Sequence, residues 1–108
     1  MSEKAEKRGS RRCPINIFVL GRFRHHSFSS TGKNISSSGI FIETDRAFIP
    51  HDKISCSFVL QYQITVGGEV VRVAGRTGDR YEYGVQFLNL DDKSRSQIEE
   101  LVKLNKAC

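Results

Sequence analysis

The chain has 108 residues, and its 17 lysines and arginines against 12 aspartates and glutamates give a formal charge of +5. That length holds one domain with one modest core. No apolar stretch approaches the ~20 residues of a membrane helix, and the charged N-terminus is unlike a signal peptide, so a cytoplasmic protein with no membrane insertion is expected. A small basic domain favours anionic partners such as nucleotides, nucleic acid or acidic lipid, although many carry such a balance without one.

In chain order, the first stretch is polar and basic, with Lys4, Lys7, Arg8, Arg11 and Arg12. It reads as a flexible arm over 1–12, and 13–108 reads as the folded body. From Ile15 the pattern is mostly period two. Ile15, Ile17 and Val19 form one alternating set, and Ile40 and Ile42 a second. Ile54, Cys56, Phe58 and Leu60 form a third, and Tyr81, Tyr83, Val85 and Phe87 a fourth. Such alternation puts one set of side chains on a buried face and the other outside. Turn chemistry separates the runs at Ser29-Ser30-Thr31-Gly32, Asp45-Arg46, Pro50-His51-Asp52 and Gly75 to Asp79. Gly67-Gly68 fits a bulge or bend in one long strand better than a hairpin tip. Five or six short strands in such a chain predict a closed or nearly closed antiparallel barrel. The last segment changes period. Asp91 or Asp92 can cap a helix whose Ile98, Leu101 and Val102 share one face.

Two features carry chemistry. Arg8 and Arg12 stand four apart in the arm. A guanidinium fork donates two parallel hydrogen bonds to phosphate and also matches the O6 and N7 acceptors of guanine. The spacing proves little alone, since Arg72/Arg76 and Arg76/Arg80 repeat it as ordinary surface charge would. The hexad Asn34-Ile35-Ser36-Ser37-Ser38-Gly39 is the stronger signal. It reads either as a plain strand-to-strand turn or as a small polar site. In the second case Asn34 offers a donor and an acceptor, Ser36 a short hydroxyl, and Gly39 lets a ligand approach the backbone.

Arg8-x-x-x-Arg12 followed by Asn34-x-Ser36-x-x-Gly39 resembles the PilZ domain, the bacterial receptor for cyclic di-GMP. The resemblance runs on through Gly39-Ile40-Phe41-Ile42, Gly68-Glu69-Val70-Val71-Arg72-Val73 and Tyr83-Gly84-Val85-Gln86-Phe87, and so covers nearly the whole chain. It implies a six-stranded antiparallel β-barrel with a C-terminal α-helix. It also implies that Arg8 and Arg12 hold phosphates and guanines, that Asn34 and Ser36 hydrogen-bond the ligand from the barrel surface, and that Gly39 keeps that surface open. Lys7 and Arg72 stand where members often place auxiliary contacts. Asn34 occupies a position where many members carry Asp, and a neutral amide forms no charge-assisted bond to guanine. The implied output is an ordered arm and a changed surface for a downstream effector protein.

Other features point to nothing further. Cys13, Cys56 and Cys108 are odd in number and widely spaced, so they read as reduced thiols, with Cys56 in the core. His25, His26 and His51 lack a further ligand at metal-binding spacing. No nucleophile elbow surrounds Ser36-Ser37-Ser38, so no enzyme, catalytic residue or cofactor is expected. The rivals are a barrel binding single-stranded nucleic acid and a PilZ-like adaptor that binds no nucleotide. The first wants aromatics interleaved with cations, and Arg22-Phe23-Arg24 is the one such trio.

Overall fold

The alternating runs become the staves of a barrel. The computed structural model describes residues 12–104. Its strands are β1 (Cys13–Phe23), β2 (His26–Ile35), β3 (Gly39–Thr44), β4 (Lys53–Val59), β5 (Gln63–Thr77) and β6 (Arg80–Leu88), followed by one helix, α1 (Asp92–Leu104). The barrel is closed in the order β1-β2-β3-β6-β5-β4, with antiparallel pairing throughout. Closure removes every free sheet edge. Of the alternating sets predicted from sequence, Val19, Ile40, Ile42, Ile54, Cys56, Phe58, Tyr83, Val85 and Phe87 point inward and are buried, while Ile15, Ile17, Tyr81 and Leu60, the last beyond the end of β4, are half-buried against them.

The Asp91 carboxylate accepts from the Ser94 amide at 2.8 Å and the Asp91 carbonyl from the Arg95 amide at 2.9 Å, so Asp91 rather than Asp92 caps α1. The hydrogen bonding from Ser94, its backbone amide first, holds the Asp91 carboxyl below its usual pKa. Ile98 and Val102 then lie buried on one face of α1, with Leu101 half-buried beside them.

Three expectations need correction. Ser29-Ser30-Thr31-Gly32 is no turn but lies inside β2; the reversal falls at Arg24-His25, where Arg24 takes φ 59°. Hydroxyl-rich sequence reads as loop because free hydroxyls compete with the backbone. Here they are spent inside the barrel: Ser30 Oγ donates to the Val19 carbonyl at 2.9 Å, and Thr44 Oγ1 to the Ser29 carbonyl at 2.8 Å. Gly67-Gly68 does lie within one long strand, but the irregularities of β5 fall later, between Val70 and Arg72 and between Val73 and Gly75. Finally, Cys13 is disulfide-bonded, whereas Cys56 is a buried free thiol whose pKa burial pushes up to about 12.

Tyr83 ties the β3–β4 connection to the core. Its hydroxyl accepts from the Phe48 amide at 2.8 Å and donates to the Arg46 carbonyl at 3.0 Å, while Phe48 packs edge-on against the Tyr83 and Phe23 rings. Burial raises the phenol pKa above its usual value, so the stability it carries is complete below about pH 10 and is lost as pH rises through the folded value. Tyr83→Phe strands the buried Phe48 amide. It should cost ~1–3 kcal/mol, read as a lower urea midpoint at unchanged slope, and should remove the tyrosine's share of any alkaline destabilisation.

Candidate functional site

The hexad spans a hairpin. Asn34 and Ile35 end β2, Gly39 opens β3, and Ser36-Ser37-Ser38 turn between them. The Ser36 amide donates to the Gly39 carbonyl at 2.9 Å. Ser36 Oγ accepts from the Ser38 amide at 3.2 Å and shares a bond with Ser38 Oγ at 3.0 Å. Ser36 is therefore buried inside its own turn, where its hydroxyl fixes the backbone. The Ser38 carbonyl in turn accepts from the Phe87 amide at 2.9 Å, which fastens the turn to β6.

Register then lines up an outward row across four strands. Asn34 on β2 pairs with Phe41 on β3, Phe41 with Gly84 on β6, and Gly84 with Arg72 on β5. Paired residues share a face, so these four side-chain positions point to the same side of the wall. Three inter-strand steps separate Asn34 from Arg72, roughly 14 Å at about 4.8 Å per step. Phe41 is half-buried within this row and Gly84 leaves a gap beside it. The neighbouring row holds Gly39 and Gln86.

A concavity of about 260 Å³ opens on this wall, lined by Arg12, Ser38, Gly39, Ile40, Val71, Arg72, Gly84, Val85 and Gln86. Arg12 reaches it from the residue ahead of β1, and its Nη1 donates to Asn34 Oδ1 at 3.0 Å. Arg72 lies along the bare face of Gly84, its Nε 3.7 Å from where a Cβ would stand, and among the described residues it has no hydrogen bond or ion pair. No carboxylate lines the concavity. Beyond its lining, three acids stand on the same wall: Glu43 is matched by Lys33 Nζ at 3.5 Å and Arg80 Nε at 3.4 Å, Glu69 stands opposite Gln86 and bonds His51 Nδ1 at 2.8 Å, and Glu82 is the next outward residue along β6 from Gly84. Two guanidinium groups thus face a small, half-apolar hollow with no counter-charge in it. Such a hollow can take a flat anion.

Of the residues expected from sequence, the structure brings Arg12, Asn34, Gly39 and Arg72 to one wall and turns Ser36 inward beneath it. Arg8 and Lys7 lie outside the described residues. Gly39 lines the hollow, but it has a prior reason to be glycine: a Cβ there would stand 2.2 Å from the Val85 carbonyl oxygen of β6. The glycine that leaves open space is Gly84, which sequence reasoning passed over along with Phe41 and Gln86. The signal was present, since period two puts Gly84 on the outward face between buried Tyr83 and Val85, where a strand glycine marks a close approach.

A family model for the PilZ domain matches residues 6–104. The chain belongs to the PilZ domain family, whose members are non-catalytic receptors of cyclic di-GMP. Among solved structures, the chain is similar to the Bacillus subtilis inhibitor of motility MotI/DgrA, with TM-score 0.79 and 14% identity over 92% of this chain and 52% of that one. It is similar to the PilZ domain of YcgR from Escherichia coli with c-di-GMP, with TM-score 0.73 and 11% identity over 91% and 90%. It is also similar to MrkH of K. pneumonia in its apo state, with TM-score 0.73 and 19% identity over 91% and 50%. At these identities the likeness is one of fold, and the chain spans about half the length of the MotI/DgrA and MrkH chains. No curated protein matches it. Among the described residues, no helix is long and apolar enough to cross a membrane.

The two glycines separate packing from ligand access. Gly39→Ala forces β3 from β6 and should cost ~1–3 kcal/mol, as overpacking does. Gly84→Ala meets only ordinary contacts and should leave the thermal midpoint near the parent value. Paired melting curves check both.

Proposed function

We propose that the Asn34–Arg72 wall binds cyclic di-GMP and that the arm ahead of β1 closes over it. The observation that carries this reading is the pair Arg12 and Arg72, two guanidinium groups flanking a carboxylate-free hollow floored by Gly84. The ligand has two negative charges and two flat purines. Arg12 and Arg8 supply forks for phosphate and for the O6 and N7 edge of guanine. Arg72 receives the far end, with Lys7 as an auxiliary cation. Asn34 orients Arg12 through their hydrogen bond and offers its amide to a base. Ser36 and Gly39 act by holding the turn and letting β3 lie close on β6.

Relay follows from where Arg12 sits. It directly precedes Cys13, the first residue of β1, so a ligand held by Arg12 is at the root of the arm. Binding free energy is then partly used to order the arm, and the ordered arm offers a downstream effector protein a changed surface. Cytoplasmic placement goes with this reading, since the nucleotide is an intracellular messenger.

Calorimetry with cyclic di-GMP, GMP and a short single-stranded oligonucleotide at matched salt tests the proposal. Only cyclic di-GMP should bind tightly. Arg12→Ala and Arg8→Ala should each weaken it by roughly tenfold to a hundredfold, the equivalent of a lost charge-assisted bond. Arg72→Ala and Asn34→Ala should have smaller effects, and Gly84→Leu should block the hollow while the barrel stays folded. Parent affinity in both Arg8 and Arg12 variants would overturn the reading, and preference for the oligonucleotide would replace it with nucleic-acid binding.

A further inference from the structure

In the ring of strands β1 stands opposite β6, so the wall centred on β1 and its neighbour β4 lies across the barrel from the hollow, with β2 joining the two sides. These three neighbouring strands contain no Asp or Glu at any position, in a chain that has 12 of them. The outward positions of β1 run Phe18, Leu20, Arg22. Phe18 is 61% exposed, Leu20 45%, and Val59 at the end of β4 62%. Leu20 pairs with Ser57 across the antiparallel β1–β4 seam, which carries Phe18 and Val59 toward the same level. Single exposed apolar residues are ordinary, but a cluster on one rigid wall marks an interaction surface.

What surrounds the cluster defines its partner. Hydroxyls form its rim, with Ser57 Oγ and Thr65 Oγ1 2.8 Å apart. Cations stand along one end: Arg22 on β1, Arg24 at the hairpin tip with its guanidinium 4.9 Å over the Phe23 ring, and Lys53 at the start of β4. Lys53 is matched by Glu69, its register partner, which also shares a hydrogen bond with His51 Nδ1 at 2.8 Å, whereas Arg22 and Arg24 have no ion pair among the described residues. An apolar centre, a hydroxyl rim and two arginines without a carboxylate partner complement a ligand with the opposite charge and one or two large apolar side chains.

We propose that the β1–β4 wall docks an acidic protein segment, in which a Leu or Phe anchor seats on Phe18, Leu20 and Val59 while flanking Asp or Glu meet Arg22 and Arg24. A lipid surface would also take the cations, so the test below includes vesicles. A second copy in two-fold contact would bring cation against cation, since the wall offers no carboxylate to its own mate. The inference uses none of the residues of the nucleotide reading and stands or falls apart from it.

The test titrates the full ¹⁵N-labelled chain with a synthetic peptide in which Glu and Asp alternate with Leu and Phe, and with the same peptide carrying Lys at every acid. The acidic peptide should shift amides of β1 and β4 saturably, while the lysine peptide should not. Binding should weaken at least tenfold in a Phe18→Ser/Leu20→Ser variant and in Arg22→Glu, both surface changes whose spectra should keep their dispersion. Asn34→Ala should bind the peptide like the parent. The proposal is overturned by absent or non-saturable binding, by shifts confined to other strands, or by equal binding of the lysine peptide. It is also overturned if phosphatidylglycerol vesicles, or self-association in sedimentation, depend on Phe18 and Leu20 while the peptide does not.

Discussion

The pairing of β3 with β6 is the constraint on which the rest of the molecule depends. Two other strands separate them in sequence, yet they run together from Gly39–Gln86 to Thr44–Tyr81. This long-range seam closes the barrel and sets the register that puts Phe41 beside Gly84. A slip of one residue would turn Phe41 inward and Ile40 and Ile42 to solvent, so burial of those isoleucines enforces the register. The seam is also tight. Gly39 lies against the Val85 carbonyl, and the Ser38 carbonyl takes the Phe87 amide. The serine-rich turn is shaped by Ser36 to fit that approach, so the hexad is first a device for joining two distant strands.

Charge follows from the same geometry. A formal +5 spread evenly would say little about a site. What matters is which cations the fold leaves without partners. Glu43, on the wall's next outward position along β3, takes Lys33 and Arg80, and the hydrogen bond from His51, aided by Lys53, holds the Glu69 carboxyl below its usual pKa. Arg76 stacks over Tyr81. Arg72 is left beside a glycine, and Arg12 is left with a neutral amide. A neutral residue at position 34 has a consequence here: an aspartate would neutralise Arg12, whereas Asn34 orients it and leaves its charge available.

Much of this was legible in the sequence because period two is a strong local signal where one face of a strand is buried. The inward sets of β3, β4 and β6 and the helix face of Ile98 and Val102 could be read directly. The turn after β1 could not, because hydroxyls within β2 mimic loop chemistry unless their buried partners, the Val19 and Ser29 carbonyls, are known. The end of the hollow formed by Arg72 was readable only through family resemblance, since its neighbour Gly84 is set by a pairing that composition cannot express. For the same reason Gly39 was given a ligand-facing role from sequence, when the contact that first demands a glycine comes from a strand nearly fifty residues away.

Under the proposed function, the packing also restricts how a ligand could be sensed. Among the described residues no buried side-chain nitrogen or oxygen lacks a hydrogen-bond partner, and the inward residues form one continuous cluster. Rearranging such an interior would break close packing and satisfied hydrogen bonds together. The proposed relay therefore puts the signal on the outside, in the segment ahead of β1. Arg12 is placed for this. It is bonded to the hairpin of the hollow and joined covalently to β1, the strand that presents Phe18 and Leu20 on the opposite wall. A rigid barrel with a responsive attachment needs no internal rearrangement, and one strand brings the root of that attachment and the second exposed surface into a single unit.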